Sequence, residues 1–229
     1  MDHTKPQYLG NAVGDFKGRF AHGGSAVILS AEAVKRLFDR PDIVMQAHFT
    51  SLTEVWGDKL IATTFQKLGI YLDERYSHFF NGERPTITRV MADRFCSPLL
   101  SFHGLSNPDE MRQVGLAFAK YDKPVFWSNL WSMYGGPDLT SFRQNPVRAQ
   151  QDHVGGSGEH ITTLRGVKSA KDCVKQCGRS WRKCLAWTWE EKDQICRLAP
   201  WMIIGDKPEG KYSGVNLGWA QKLAMDCSR

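Results

Sequence analysis

A mixed α/β unit followed by a small, disulfide-rich α+β module is the fold class the sequence predicts, and three observations predict it. Short apolar runs alternate with helix-like segments through residues 1–142, the pattern of a layered helix-and-sheet domain. Of the six cysteines, Cys173, Cys177, Cys184, Cys196 and Cys227 crowd the C-terminal end while Cys96 stands apart. Charge divides at the same place: residues 160–229 carry 13 Lys plus Arg against 7 Asp plus Glu, whereas residues 1–159 carry 17 of each. The net charge of +6 therefore belongs to the cysteine-rich end. At 229 residues and 41% apolar content the chain can bury a core. No window approaches the roughly 20 consecutive apolar residues of a spanning helix.

In the first unit "FAHGGSAVILS" (20–30) runs from a glycine pair into a short apolar strand. A glycine pair there marks either a backbone bend or a surface that a ligand approaches closely. Ser30 is placed to cap a helix whose Ala33, Val34, Leu37 and Phe38 share a face. A second helix starts at Asp58, carries Leu60, Ile61, Thr64, Phe65 and Leu68, and stops at Gly69. Asn107, Pro108 and Glu110 open a third, with Met111, Val114 and Phe118 at helical spacing.

The stretch 143–160, "RQNPVRAQQDHVGGSGEH", is polar and glycine-containing, as a linker is. Beyond it, over 161–229, Ser169 caps a helix that sets Cys173 and Cys177 one turn apart on one face. Both thiols then point at one neighbour, the strand "CLAWTWE", followed by a turn and "ICRLAPW". Clustered thiolates also bind zinc, but all seven histidines lie upstream of Cys173 and no Cys-x-x-Cys pair occurs, so disulfides in an oxidising compartment are the favoured reading. The basic module favours anionic partners such as acidic polysaccharide, although a solvated basic face needs no partner. A pI near 9.0 carried by such a module argues against nucleic acid.

Chemistry-bearing candidates in the first unit are "FAHGGSAVILS", "EVWGDKLIATTFQKLGI" (54–70) and "FCSPLLSFHG" (95–104). Singly, the glycines turn a corner, Asp58 caps a helix, Trp56 packs and His103 is a core histidine. Together with "PQYLG" (6–10), in this order and spacing, they resemble the fringe-like β-1,3 glycosyltransferases over roughly residues 5–130. That resemblance implies the GT-A fold, a UDP-sugar donor with Mn²⁺, a glycan or glycoprotein acceptor, and inverting hexosyl transfer. It makes Asp58 the catalytic base, His103 a metal ligand, and Gly23, Gly24 and Trp56 substrate-binding residues. The family's acidic metal-binding triplet precedes its counterpart of "PQYLG", whereas Asp73 with Glu74 and Asp109 with Glu110 stand in other contexts. The chain is thus expected to be the C-terminal part of such a transferase, with a type II membrane anchor ahead of it in the full-length protein. Ala26 stands where the family often has another glycine.

The second unit resembles the apple/PAN module through "CVKQCGRSWRKCLAWTWEEKDQICRL" and "KYSG" (211–214). The resemblance implies pairs Cys173–Cys196 and Cys177–Cys184, leaving Cys96 and Cys227 to bridge the units or stay free. It also makes "GRSWRKC" a contact patch, with Arg179, Trp181, Arg182 and Lys183, although an exposed helix end with basic residues reads the same way. The expectation is a fungal-type glycosyltransferase of the Golgi lumen, or, in its place, a non-catalytic secreted protein that binds carbohydrate or protein through the PAN-like module.

Overall fold

The computed structural model describes residues 2–15, 18–156, 158–180 and 183–227. They form two compact units that interleave along the chain: Met1–Gly82 with Leu99–Leu105, and Glu83–Pro98 with Ser106–Arg229. Among the described residues no helix is long and apolar enough to cross a membrane.

In the first unit β1 (Tyr8–Gly10) pairs antiparallel with β4 (Val27–Leu29), and β2 (Ala12–Asp15) with β3 (Gly18–Ala21). Ser30 then starts α1 (Ala31–Phe38) by accepting the Ala33 N–H at 3.2 Å. The same hydroxyl accepts the Gln7 N–H at 2.8 Å and donates to the Lys5 carbonyl at 2.6 Å, so one side chain fastens both the helix start and the chain entering β1. Next come α2 (Pro41–Ser51), with proline at its first position, and α3 (Gly57–Gln66), beyond which Gly69 turns the chain at φ 71°. Tyr8, Phe20, Ala21, Ala33, Ala62, Phe65 and Ile70 make the core. The buried Tyr8 hydroxyl accepts the Ala21 N–H at 2.8 Å, which joins β1 to β3. Residues 99–105 rejoin the unit through Leu100 N–H to Phe79 C=O at 2.8 Å and Asn81 N–H to Ser101 C=O at 3.1 Å.

The second unit runs through β5 (Val90–Met91), α4 (Pro108–Phe118), α5 (Trp127–Met133), β6 (Arg148–Ala149), β7 (Thr162–Leu164), α6 (Ala170–Arg179), β8 (Ala186–Glu190), β9 (Ile195–Ala199), β10 (Trp201–Met202), β11 (Lys211–Val215) and α7 (Leu217–Asp226). Five strands form one antiparallel sheet in the order β6-β11-β8-β9-β7, while β5 pairs with β10. Capped by Ser169, α6 buries Cys173 and Cys177 against β8 and β9. There Cys173 bonds to Cys196 and Cys177 to Cys184, and a third bridge joins Cys96 to Cys227 across 131 positions. With all six thiols oxidised, none is left to hold zinc.

Several expectations change. The stretch 143–160 is not a free connector: Arg148 and Ala149 form β6, and Asp152, His153 and Val154 are buried. Burial of Asp152 is compensated, since its carboxylate accepts from Lys211 at 2.8 Å, Thr188 at 2.8 Å and the Gly155 N–H at 2.8 Å. Despite burial, these partners hold its carboxyl below the usual carboxylate range. The compact units therefore do not divide at 142 and 161; residues 83–98 and 106–142 pack with the cysteine-rich part. Of the two alternatives for Cys96 and Cys227 the bridge is the one that forms: the bond joins the stretch 1–142 to the stretch 161–229, and both cysteines lie in the second compact unit. Phe38 and Met111, expected on buried helix faces, are exposed, and α4 buries no residue fully. The strand "AVILS" forms but is only half-buried, and β8 is buried on both faces where alternation is expected.

Buried His153 sets a pH dependence. Its Nδ1 lies 3.0 Å from the Ile203 carbonyl and its ring meets the Trp131 ring edge-on at 5.0 Å. Burial pushes the imidazole down to about 4. The unfolded chain takes up this proton near pH 6.5, so the stability of the second unit should fall as pH drops from 6.5 to about 4. The loss is on the order of 3 kcal/mol and levels off at lower pH. Thermal unfolding across that window should show the slope in the wild type and a flatter profile in His153→Asn. Separately, the Cys96→Ser, Cys227→Ser double variant opens a loop spanning 131 positions and should lose about 2–5 kcal/mol in denaturant titration.

Candidate functional site

The first unit gathers several of its chemistry-bearing residues around the turn Gly23–Ser25, which connects β3 to β4. Asp58 stands in the first turn of α3, where the helix dipole favours negative charge. Its Oδ2 accepts the Gly23 N–H at 3.1 Å and its Oδ1 the Lys59 N–H at 2.9 Å. A side chain on Gly24 would collide with the His103 ring at Cδ2 and Nε2. The His103 Nδ1 lies 3.2 Å from the Gly82 carbonyl. Across the turn, the His22 ring meets His103 edge-on at 4.4 Å and sets its Nδ1 3.2 Å from Ser25 Oγ. Ser101, two residues before His103, donates its hydroxyl to the Ser25 carbonyl. A carboxylate and two imidazoles therefore border one glycine turn whose Gly23 and Gly24 face solvent.

Four of the residues singled out from sequence, Asp58, His103, Gly23 and Gly24, meet here. The reason for Gly24 differs from the expected one: the room left by its missing side chain is occupied by the His103 ring. Trp56 precedes α3 and is 57% exposed, with one ring edge against Phe20 at a centroid distance of 6.4 Å, so most of its face is open to a ligand. His22 and Ser25 escaped assignment, although His22 adjoins the glycine pair in sequence.

Ala26 closes the turn at φ 94° and ψ 141°, a conformation that costs any residue with a Cβ. It holds there because β4 begins at the next residue and Ala26 N–H bonds to the Gly23 carbonyl at 3.2 Å. Metal binding does not follow from this geometry. Among the described residues no group of three or more His, Cys, Asp and Glu is arranged to hold an ion.

In the second unit Arg179 ends α6 and is exposed, as is Lys183. Trp181 and Arg182 of the expected basic patch lie outside the described residues.

Residues 147–210 match the sequence model of the PAN domain. This segment holds β6 to β10, α6 and both inner disulfides, so the chain carries a PAN module of the disulfide-stapled kind. No curated protein and no solved structure matches the chain.

The strained turn yields a stability test. Ala26→Gly should raise the stability of the first unit by about 1 kcal/mol, read as a higher denaturant midpoint, because glycine takes a positive φ without steric cost.

Proposed function

We propose that the first unit is the acceptor side of an inverting glycosyltransferase and that the PAN module serves it as a binding domain. The observation that carries this reading is the convergence of Asp58, Gly23, Gly24 and His103 on one turn. Asp58 acts as the general base. As an acceptor hydroxyl attacks the anomeric carbon of the donor sugar, its proton passes to the Asp58 carboxylate, and the bond to the departing diphosphate breaks with its electron pair. Trp56 offers an aromatic face for the acceptor ring. The resemblance implies a UDP-sugar donor and Mn²⁺; among the described residues no group of three or more His, Cys, Asp and Glu is arranged to hold the ion, and no step is assigned to the metal. Three disulfides fit the oxidising lumen of the secretory pathway, in the Golgi or beyond it.

A second reading rests on the PAN match: a non-catalytic secreted protein that binds carbohydrate or protein through that module, with Arg179 and Lys183 at the contact. One variant separates the two. In protein expressed from its complete reading frame, Asp58→Asn should lower hexosyl transfer from UDP-sugars to β-linked oligosaccharides by about 10²–10⁴-fold. Acceptor affinity should change less than about twofold, since the amide retains the shape and one acceptor oxygen. Wild-type turnover in Asp58→Asn, or no turnover in the wild type with any UDP-hexose, overturns the transferase reading.

A further inference from the structure

The second unit contains a pocket that the proposed transfer reaction does not use. It encloses about 240 Å³ and is lined by Arg148, Gln151, Lys207, Pro137 and Ile204, with the backbone of Gly135 and Gly205. Two of these side chains are cations, and among the described residues neither has a carboxylate within ion-pair reach. Arg148 leaves the edge strand β6, donates one guanidinium N–H to Ser141 Oγ, and sets its guanidinium carbon 4.6 Å from the centre of the Phe142 ring. Its Nε is enclosed with no hydrogen-bond partner. Lys207 stands exposed at the rim.

Two acids near these cations in the chain, Asp152 and Asp138, are engaged elsewhere. The Asp152 carboxylate is held by Lys211, Thr188 and Gly155, and Asp138 by Thr140. Asp206 adjoins Lys207 in the chain but does not line the pocket. The half-buried Gln151 amide adds neutral donors at the wall. Two uncompensated cations and an amide around one concavity form a site for a planar or tetrahedral oxyanion, which the Arg148 fork is shaped to meet. Pro137 and Ile204 supply apolar wall beside the cations, as the ring of a sugar requires.

We propose that this pocket binds the carboxylate or sulfate of an acidic sugar, with Arg148 and Lys207 pairing the anion. It stands apart from the basic patch at Arg179 and Lys183 in sequence, and it is independent of the transferase reading.

The test is a titration of the whole chain at low ionic strength with glucuronate, glucose, a uronic acid oligomer, inorganic sulfate and an acidic peptide. Glucuronate and its oligomer should bind and shift the Arg148 Nε–H and Gln151 side-chain resonances, while glucose should not. Lys207→Gln, an exposed change that spares the fold, should weaken glucuronate binding about fivefold. Arg148→Lys retains the charge but not the fork and should weaken it further, with an unchanged circular dichroism spectrum as the folding control. Equal binding of glucose and glucuronate, or unaltered affinity in Lys207→Gln and Arg148→Lys, overturns the site. Sulfate or the acidic peptide binding while the uronic acid oligomer does not overturns the assignment to acidic sugar.

Discussion

Packing of the His103 ring on the bare backbone of Gly24 is the contact on which the first unit's site depends. Residues 99–105 belong to that unit although the stretches on either side of them, 83–98 and 106–229, belong to the other. They are fastened there by backbone bonds to Phe79 and Asn81, by Ser101 on the Ser25 carbonyl, and by His103 lying where any other residue at position 24 would put its Cβ. A larger residue at 24 would drive the ring out and separate an imidazole from the Asp58 carboxylate that Gly23 holds from the opposite end of the turn. The price is local strain at Ala26, carried by the strand that follows.

The second unit solves a different problem. Its sheet is small, and covalent staples limit the unfolded chain where a modest core cannot supply all the stability. One bridge bolts α6 to β9, a second ties it to the loop just before β8, and the third closes the long loop from Cys96 to Cys227. Polar burial adds specificity: Asp152, Lys211, Glu190 and Arg197 form a continuous chain of ion pairs along the sheet. Lys211 is held above its ordinary pKa by the two carboxylates in spite of burial.

Features governed by local chemistry were legible in the sequence. Ser30, Asn107 and Ser169 cap the helices they precede, and Gly69 ends the turn after α3, because a cap needs only its own next three residues. Long-range features were not. The segment around Asp152 and His153 is polar in composition, and the cation that compensates the buried Asp152 carboxylate is a lysine 59 positions away. Helix α2 escaped notice because its apolar residues do not lie on one stripe: Ile43 is buried while Val44, Met45 and Phe49 are exposed. The pairing of Cys173 with Cys196 and Cys177 with Cys184 was legible only through resemblance to the PAN module, which left Cys96 and Cys227 either bonded or free. In the site, the resemblance put Asp58, His103 and the glycine pair together, whereas the spacing of the motifs alone did not show that they approach one turn.

The most direct measurement is a nuclear magnetic resonance titration of the chain with a neutral β-linked oligosaccharide. If the glycine turn borders the acceptor site, the imidazole signals of His22 and His103 and the indole N–H of Trp56 shift together and saturate at one common concentration. Shifts confined to residues of the PAN module such as Arg179 and Lys183, with those three signals unmoved, contradict an acceptor site in the first unit.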